Sequence, residues 1–379
     1  MNPNPLHLYL HIPFCHQACH YCDFHFSTNL AQKKAMVDAI CAEIKLQNTY
    51  LPVKNLETIY FGGGTPSLLH PAELAKILTH IHQDFSVDPQ AEITLEANPE
   101  DLTIEYLEAI KALGINRLSI GIQSFQEKNL PYLHRNHSVS DSLLCIARAQ
   151  EVGLSNISLD LIYGIPENTM SDLEKDLDTA IQTGVEHISA YSLTIEPKTV
   201  FGQQKKKGIL KEIDEELMSD SFLYVRKRLT EVGFDDYETS NFAKNKRYSR
   251  HNTSYWNQEP YLGIGPSAHS FNGFSRQWNV AKNGLYIQSI SEGQIPSEIE
   301  MLSPENKLNE YLMTRLRTAW GIDLETVKSG YLACKRTFPQ LEIDHWIENG
   351  IAILEKNQLR LIGSGKLMAD KLASDLFVV

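Results

Sequence analysis

The stretch LHLYLHIPFCHQACHYCDF, Leu6 to Phe24, decides the fold. Its first seven residues, Leu6 to Ile12, form a short apolar-rich run of strand length, read as a buried strand. A polar turn follows, carrying Cys15, three residues, Cys19, two residues, and Cys22. KKAMVDAICAEIKLQ, Lys33 to Gln47, then has the spacing of an amphipathic helix, and ETIYFGG, Glu57 to Gly63, is a second strand. Strand, loop, helix and strand make a parallel βαβ unit, because parallel neighbours need a crossover.

The same alternation continues outward. EITLEAN (Glu92 to Asn98), RLSIGIQS (Arg117 to Ser124), SLDLIYG (Ser158 to Gly164) and HISAYSL (His187 to Leu193) read as strands. Between them PAELAKILTHIHQDF, IEYLEAIKALG and SDLEKDLDTAIQTG read as helices. Gly114, Gly153, Gly184 and Gly233 stand where helices stop. Polar residues recur near the C-terminal ends of the strands: Glu96, Asn98, Gln123, Asp160 and Ser192. For any one of them, capping of the next helix is the competing reading. Recurrence on successive strands favours a site, since α/β barrels carry their chemistry at that end. The repeat fades after Pro197, and Gln203 to Gly208 reads as a polar loop. From Pro304 the pattern is helix-rich and then strand-like, as in a small helical domain with a wing-like hairpin around Asn357-Gln358.

Composition bounds the function. Of 379 residues, 42% are hydrophobic and 22% charged, values of an ordinary globular chain. A net charge of -12 argues against nucleic acid as a bulk partner. The opening MNPNPLHLYLHIPF lacks a positively charged start, so no secretory signal is expected, and no apolar run is long enough to span a membrane. Three of the six cysteines fall within eight positions, which is metal-site clustering rather than a disulfide framework. A reducing cytoplasm is the expected compartment.

For the triplet, zinc with His11, His16, His20 or His25 as fourth ligand is one reading. No second CxxC knuckle follows, however, and three thiolates suit a four-iron cluster with one iron left open. One βα unit later comes YFGGGTPS, Tyr60 to Ser67, whose glycines let backbone groups approach a ligand closely. That is the position of a clamp on a ligand's amino group, and it favours iron–sulfur.

CHQACHYC followed by GGGTP resembles the radical S-adenosylmethionine (SAM) superfamily. The longer set LYLHIPFCHQACHYCDF, YFGGGTPS, EITLEANPE, RLSIGIQSF, LDLIYGIP and YLGIGPSAHSF resembles its oxygen-independent coproporphyrinogen oxidase-like branch, over nearly the whole chain. The resemblance implies an α/β fold: a partial (β/α)6 TIM-like barrel over residues 1–235, an extension over 236–300, and a small helical, winged-helix-like domain over 301–379. It implies a [4Fe-4S] cluster on Cys15, Cys19 and Cys22. It also implies SAM at Tyr9, Tyr21, Gly63, Gly64, Thr65, Glu96, Gln123, Arg135 and Asp160. There, Glu96 and Asp160 can accept bonds from a ribose or an ammonium, Arg135 can face the methionine carboxylate, and Tyr21 can cover the adenine.

Two departures separate the chain from the oxidase. After Cys22 come Asp23 and Phe24, where the oxidase has a fourth cysteine, and the first strand begins by about Leu6 with no N-terminal extension. Both match the related group of haem chaperones, HemW, which also carries an HNxxYW motif; here HNTSYW runs from His251 to Trp256. In that motif His251 can offer an imidazole to haem iron, with Asn252 beside it and Tyr255 and Trp256 on the ring face. Lys244, Lys246, Arg247 and Arg250 can meet the propionates. A buried turn and a solvated basic loop are the plainer readings. His269 is a second candidate ligand, or a residue lining the cluster site. Cys41, Cys145 and Cys334 read as small core residues.

The expected function is therefore haem binding and delivery to haem-requiring proteins, membrane-bound respiratory enzymes among them, from a cytoplasmic position with peripheral membrane association as an option. An electron donor and a second copy of the chain complete the expected partners. The alternative is a radical enzyme that oxidatively decarboxylates coproporphyrinogen III, and a third is a radical enzyme on an unrelated substrate.

Overall fold

The structure, a computed structural model, describes residues 6–51, 55–211 and 213–379. The opening residues 1–5, on which part of the signal-sequence reading rests, lie outside that range. Six βα units come first. Their strands are β1 (Leu6–Ile12), β2 (Asn55–Gly63), β3 (Ser86–Ala97), β4 (Arg117–Gln123), β5 (Ile157–Tyr163) and β6 (His187–Ser192). They alternate with α1 (Lys33–Leu46), α2 (Pro71–Asp84), α3 (Ile104–Ala112), a single turn α4 (Asn129–Tyr132), α5 (Val139–Glu151) and α6 (Met170–Gln182). Neighbouring strands from β1 to β6 all pair in parallel, giving the expected (β/α)6 partial barrel. The helix stops Gly114, Gly153, Gly184 and Gly233 all take positive φ, a conformation open to glycine without a β-carbon clash.

Beyond β6 come α7 (Val200–Lys206), α8 (Glu215–Glu231), β7 (Asp235–Asp236) and β8 (Asn241–Ala243), the last antiparallel to β6. The expected loop at Gln203–Gly208 is corrected: most of it is the end of α7, stopped at Gly208 with φ +69. This helix has only two turns, and its lysine run carries no apolar periodicity to announce it. Then follow α9 (Arg250–Trp256), β9 (Tyr261–Ile264), β10 (His269–Phe271), β11 (Ser275–Asn279), α10 (Asn283–Ser291) and β12 (Ser297–Met301). β9 pairs in parallel with β1 and extends the sheet past its first edge to twelve strands.

The remaining elements are α11 (Pro304–Arg315), β13 (Ile322–Asp323), α12 (Leu324–Ala333), α13 (Gln340–Glu348), β14 (Ala352–Glu355), β15 (Gln358–Leu361) and α14 (Ala369–Asp375). They enclose a second apolar cluster, drawn entirely from residues 308–378, apart from the main one. The β14–β15 hairpin turns on Lys356 and Asn357, both at positive φ, as a tight turn between right-twisted strands requires.

Strand alternation puts a polar set inside the barrel. His7, Thr58 and Glu92 lie in register across β1 to β3 near the strand starts. Tyr9, Tyr60, Thr94 and Arg117 form the next row, and Glu96, Ser119, Ser158 and His187 another. Helix α9 closes the lower end. Glu92 accepts bonds from the backbone N–H of Arg250 (3.2 Å) and of His251 (3.1 Å), placing a carboxylate at the helix N-terminus. Ser249 caps the same turn through the N–H of Asn252.

Candidate functional site

The three cysteines sit on the loop that follows β1. Backbone bonds hold this loop at both flanks. Cys15 N–H donates to Ser27 O at 3.1 Å and Ser27 N–H to Pro13 O at 2.9 Å. On the other flank His20 N–H donates to Leu133 O at 3.2 Å, and Phe201 N–H donates to His20 O at 3.0 Å. The rings of His20 and His134 stack with centroids 4.7 Å apart, each hydrogen-bonded through Nδ1 to the carbonyl of the opposite segment. The loop therefore has its shape from peptide bonding.

Over it opens a cavity of ≈ 630 Å³, within the ~300–1,000 Å³ usual for small-molecule sites. Cys15, Cys19 and Cys22 line it, as do Tyr21, Gly63, Gly64, Thr65, Glu96, Gln123, Arg135 and Asp160. Of the expected SAM residues, only Tyr9 is absent from the lining. It lies one layer down, its ring 6.1 Å from that of Tyr60 and its hydroxyl bonded to His11. Sequence reading missed Ser119, Gly121 and Tyr191, which also line the cavity. The strand-end rule could have found the first two; Tyr191 is one place short of Ser192.

Each polar group has a structural cause. Glu96 accepts the Tyr60 hydroxyl at 2.8 Å and the Gly63 N–H at 3.1 Å. Burial pushes its carboxyl up to about 7, against the help of Tyr60. Asp160 accepts the Ser119 hydroxyl at 3.1 Å, and burial raises it to about 6. Arg135 donates to Asn98 Oδ1 at 2.7 Å, to Gly121 O at 2.8 Å and to Cys19 Sγ at 3.5 Å, tying two strand ends to the cysteine loop. Its Nε is buried without a partner. Gln123, at φ 68, holds a left-handed backbone at the β4 terminus, strain of the kind found at ligand clamps.

The donor set fits a cluster. Burial raises the thiol of Cys15 to about 12 and that of Cys22 to about 11, so in the protein alone they stay protonated and await a metal charge. Among the described residues no three His, Cys, Asp or Glu side chains converge on a single metal ion. A cluster with one thiolate on each of three irons needs no such convergence. Gly64 completes the cradle: a β-carbon there would lie 2.6 Å from Phe14 O and 2.8 Å from Ile12 O.

HNTSYW is at the other end of the barrel, where its histidine is buried rather than open to a ligand. His251 is 1% exposed, with Nδ1 bonded to Thr58 Oγ1 (2.6 Å) and Nε2 to the Tyr255 hydroxyl (2.8 Å). Its ring stacks on Tyr60 at 4.9 Å. Burial holds the imidazole neutral, and both nitrogens are engaged in hydrogen bonds. Asn252, Tyr255 and Trp256 frame this plug, with Trp256 Nε1 buried and unpartnered. Of the basic residues, Arg247 pairs with Glu186 and Arg250 with Glu57, while Lys244 lies over the Phe234 ring. His269 is exposed instead, its ring stacked 6.0 Å from that of Trp278 and close enough to His11 to help keep it neutral. Cys41 and Cys145 are buried in the core, and Cys334 packs against the C-terminal cluster.

Residues 9–180 match the model of the radical SAM superfamily. The chain is 35% identical over 369 residues to the haem chaperone HemW of Bacillus subtilis, covering 96% of this chain and 97% of that protein. It is 33% identical over 381 residues to the haem chaperone HemW of Mycobacterium tuberculosis, covering 99% and 96%. Among solved structures, coproporphyrinogen III oxidase (HemN) from Escherichia coli superposes with a TM-score of 0.85 at 21% identity, over 99% of this chain and 90% of that one.

Proposed function

The chain belongs to the HemW family within the radical SAM superfamily, and on that premise we propose that it binds haem and delivers it to haem-requiring proteins. The near full-length likeness to two curated haem chaperones carries this reading. The likeness to the oxidase, at 21% identity, speaks for the fold alone. Phe24, 74% exposed where the oxidase has cysteine, adds to the case.

The radical SAM family implies a [4Fe-4S] cluster and SAM. Cys15, Cys19 and Cys22 would hold the cluster, which supplies a one-electron store and an open iron able to chelate amino and carboxylate groups. The protein's own contribution is orientation and charge. Glu96 and Asp160, once ionised, accept from the ammonium and ribose of SAM. Arg135 would meet its carboxylate, Gly63, Gly64, Thr65 and Gln123 would shape the wall, and Tyr21 would cover the adenine. Tyr9 acts from beneath through the aromatic layer.

For haem, the exposed imidazole of His269 is the better-suited axial ligand, with Trp278 steadying the ring. HNTSYW supports the site as the plug that fixes Tyr60 and, through it, Glu96.

Anaerobically reconstituted protein tests both parts. Haem titration should give one-to-one binding that His269→Ala abolishes and His251→Ala retains. Incubation with reductant, SAM and coproporphyrinogen III should give no protoporphyrinogen; catalytic turnover would sink the chaperone reading. Haem bound equally by the His269→Ala protein would sink the ligand assignment alone.

A further inference from the structure

Among the described residues Arg117 is the largest fully buried side chain, 1% exposed inside the barrel. An arginine does not shed its proton, so this is a permanent charge in surroundings that disfavour charge. Its Nε is buried without a hydrogen-bond partner, and its ion pair with Glu92 is stretched to 4.0 Å. Glu92 is itself engaged, accepting the backbone N–H groups of Arg250 and His251 at the start of α9. A buried cation paired this loosely is poor packing material, since a hydrophobic side chain of similar volume would fill the space without the desolvation penalty.

Strand register shows what stands over it. Arg117 is opposite Thr94 of β3; the next row sets Glu96 opposite Ser119, whose hydroxyl donates to Asp160 at 3.1 Å. A row is two residues, about 6.6 Å of strand. Arg117 is thus rooted one row beneath the two carboxyls that face the cavity. Burial raises both of them, and the charge of Arg117 works against that on each. The other ionisable groups around the pair are Tyr9, Tyr60, Tyr191 and Tyr255, from β1, β2, β6 and α9, all held un-ionised by burial. Burial likewise keeps His187 and His251 neutral, with Arg117 adding to the effect, and keeps the Tyr237 hydroxyl protonated. Arg117 is the positive charge common to Glu96 and Asp160. We propose that Arg117 is a positioning residue for SAM, a buried counter-charge that holds these two carboxylates in the acceptor form the ligand requires. It acts through them and from beneath. The proposal rests on the reading of the cavity as a SAM site.

SAM binding to anaerobically reconstituted protein, measured by equilibrium dialysis as a function of pH, tests it. Arg117→Met keeps an unbranched side chain and removes the charge. The pH midpoint of binding should rise by about one unit, which is about a tenfold loss of affinity on the acid side. On the alkaline side affinity should equal or exceed that of the unsubstituted protein, because SAM is itself a cation and a repelling charge has gone. Breaking one half of a buried ion pair can prevent folding, whereas removing both halves is better tolerated. Glu92→Gln/Arg117→Met therefore serves beside the single variant, and its midpoint should stand above that of Glu92→Gln by the same amount. A loss of affinity that is uniform with pH, the midpoint unmoved, overturns the proposal and leaves Arg117 a packing residue. So does an unchanged binding curve. Unsubstituted protein that binds no SAM at any pH overturns the reading of the cavity, and the proposal with it.

Discussion

Glu96 and Asp160 carry protonation constants that burial has moved to about 7 and about 6. The sign follows from the charge each must hold. A raised carboxyl is neutral below its constant, whereas a bound cation needs it ionised. SAM affinity should therefore fall as pH drops through 7 towards 6, by up to about tenfold per unit for each group. Equilibrium dialysis across that range checks it, and Glu96→Gln should flatten the upper part of the curve. Gly64→Ala tests the cradle: its methyl group would meet the carbonyl of Ile12 at the end of β1 and that of Phe14 at the start of the cysteine loop, at a cost of roughly 1–3 kcal/mol. Iron and sulfide content after reconstitution should drop sharply while the fold persists. At this scale the sequence was most informative about groups at strand ends, because the two-residue period assigns a face and the strand end assigns a height. Tyr9 shows the limit. It has the right face but sits a layer too low, and height depends on barrel shear that one strand alone does not reveal.

Helix α9 shows what an element does that its motif does not say. HNTSYW looks like a ligand set because His, Tyr and Trp are haem-contacting types. Whether its histidine points out or into the barrel depends on Glu92 and Thr58, about 160 and 190 residues earlier. His251→Ala should remove two buried hydrogen bonds and a ring contact, lowering stability by about 2–4 kcal/mol. Thermal unfolding would register this, and SAM affinity should weaken with it, because Tyr60 loses the ring beneath it. Helix α7 was illegible for another reason: two turns capped by Thr199 and anchored by one phenylalanine leave no periodic trace.

Over the whole molecule, alternating strands and helices made the barrel legible, since each crossover must return to a parallel neighbour. The antiparallel extension β10 to β12 was not, because its strands are short and mostly polar, and only pairing with β9 and with one another defines them. The C-terminal unit has its own apolar cluster and meets the barrel through ion pairs such as Lys366–Asp236 and Arg276–Glu310. Leu359→Ala, at a fully buried site, should cost about 2–5 kcal/mol and expose residues 304–379 to limited proteolysis. Cluster content should not change, since no residue of that unit lines the cavity.

The anchoring of the cysteine loop reaches further than geometry. In small metal-nucleated domains the ion is the core, and losing it unfolds the chain. Here the loop is fastened to Ser27, Leu133 and Phe201 by peptide groups indifferent to iron. Loss of a cluster from this loop should therefore leave a standing socket, one that can be refilled without refolding. Such a protein can outlive many copies of its own cofactor, and damage by oxygen becomes a matter of replacement rather than of resynthesis.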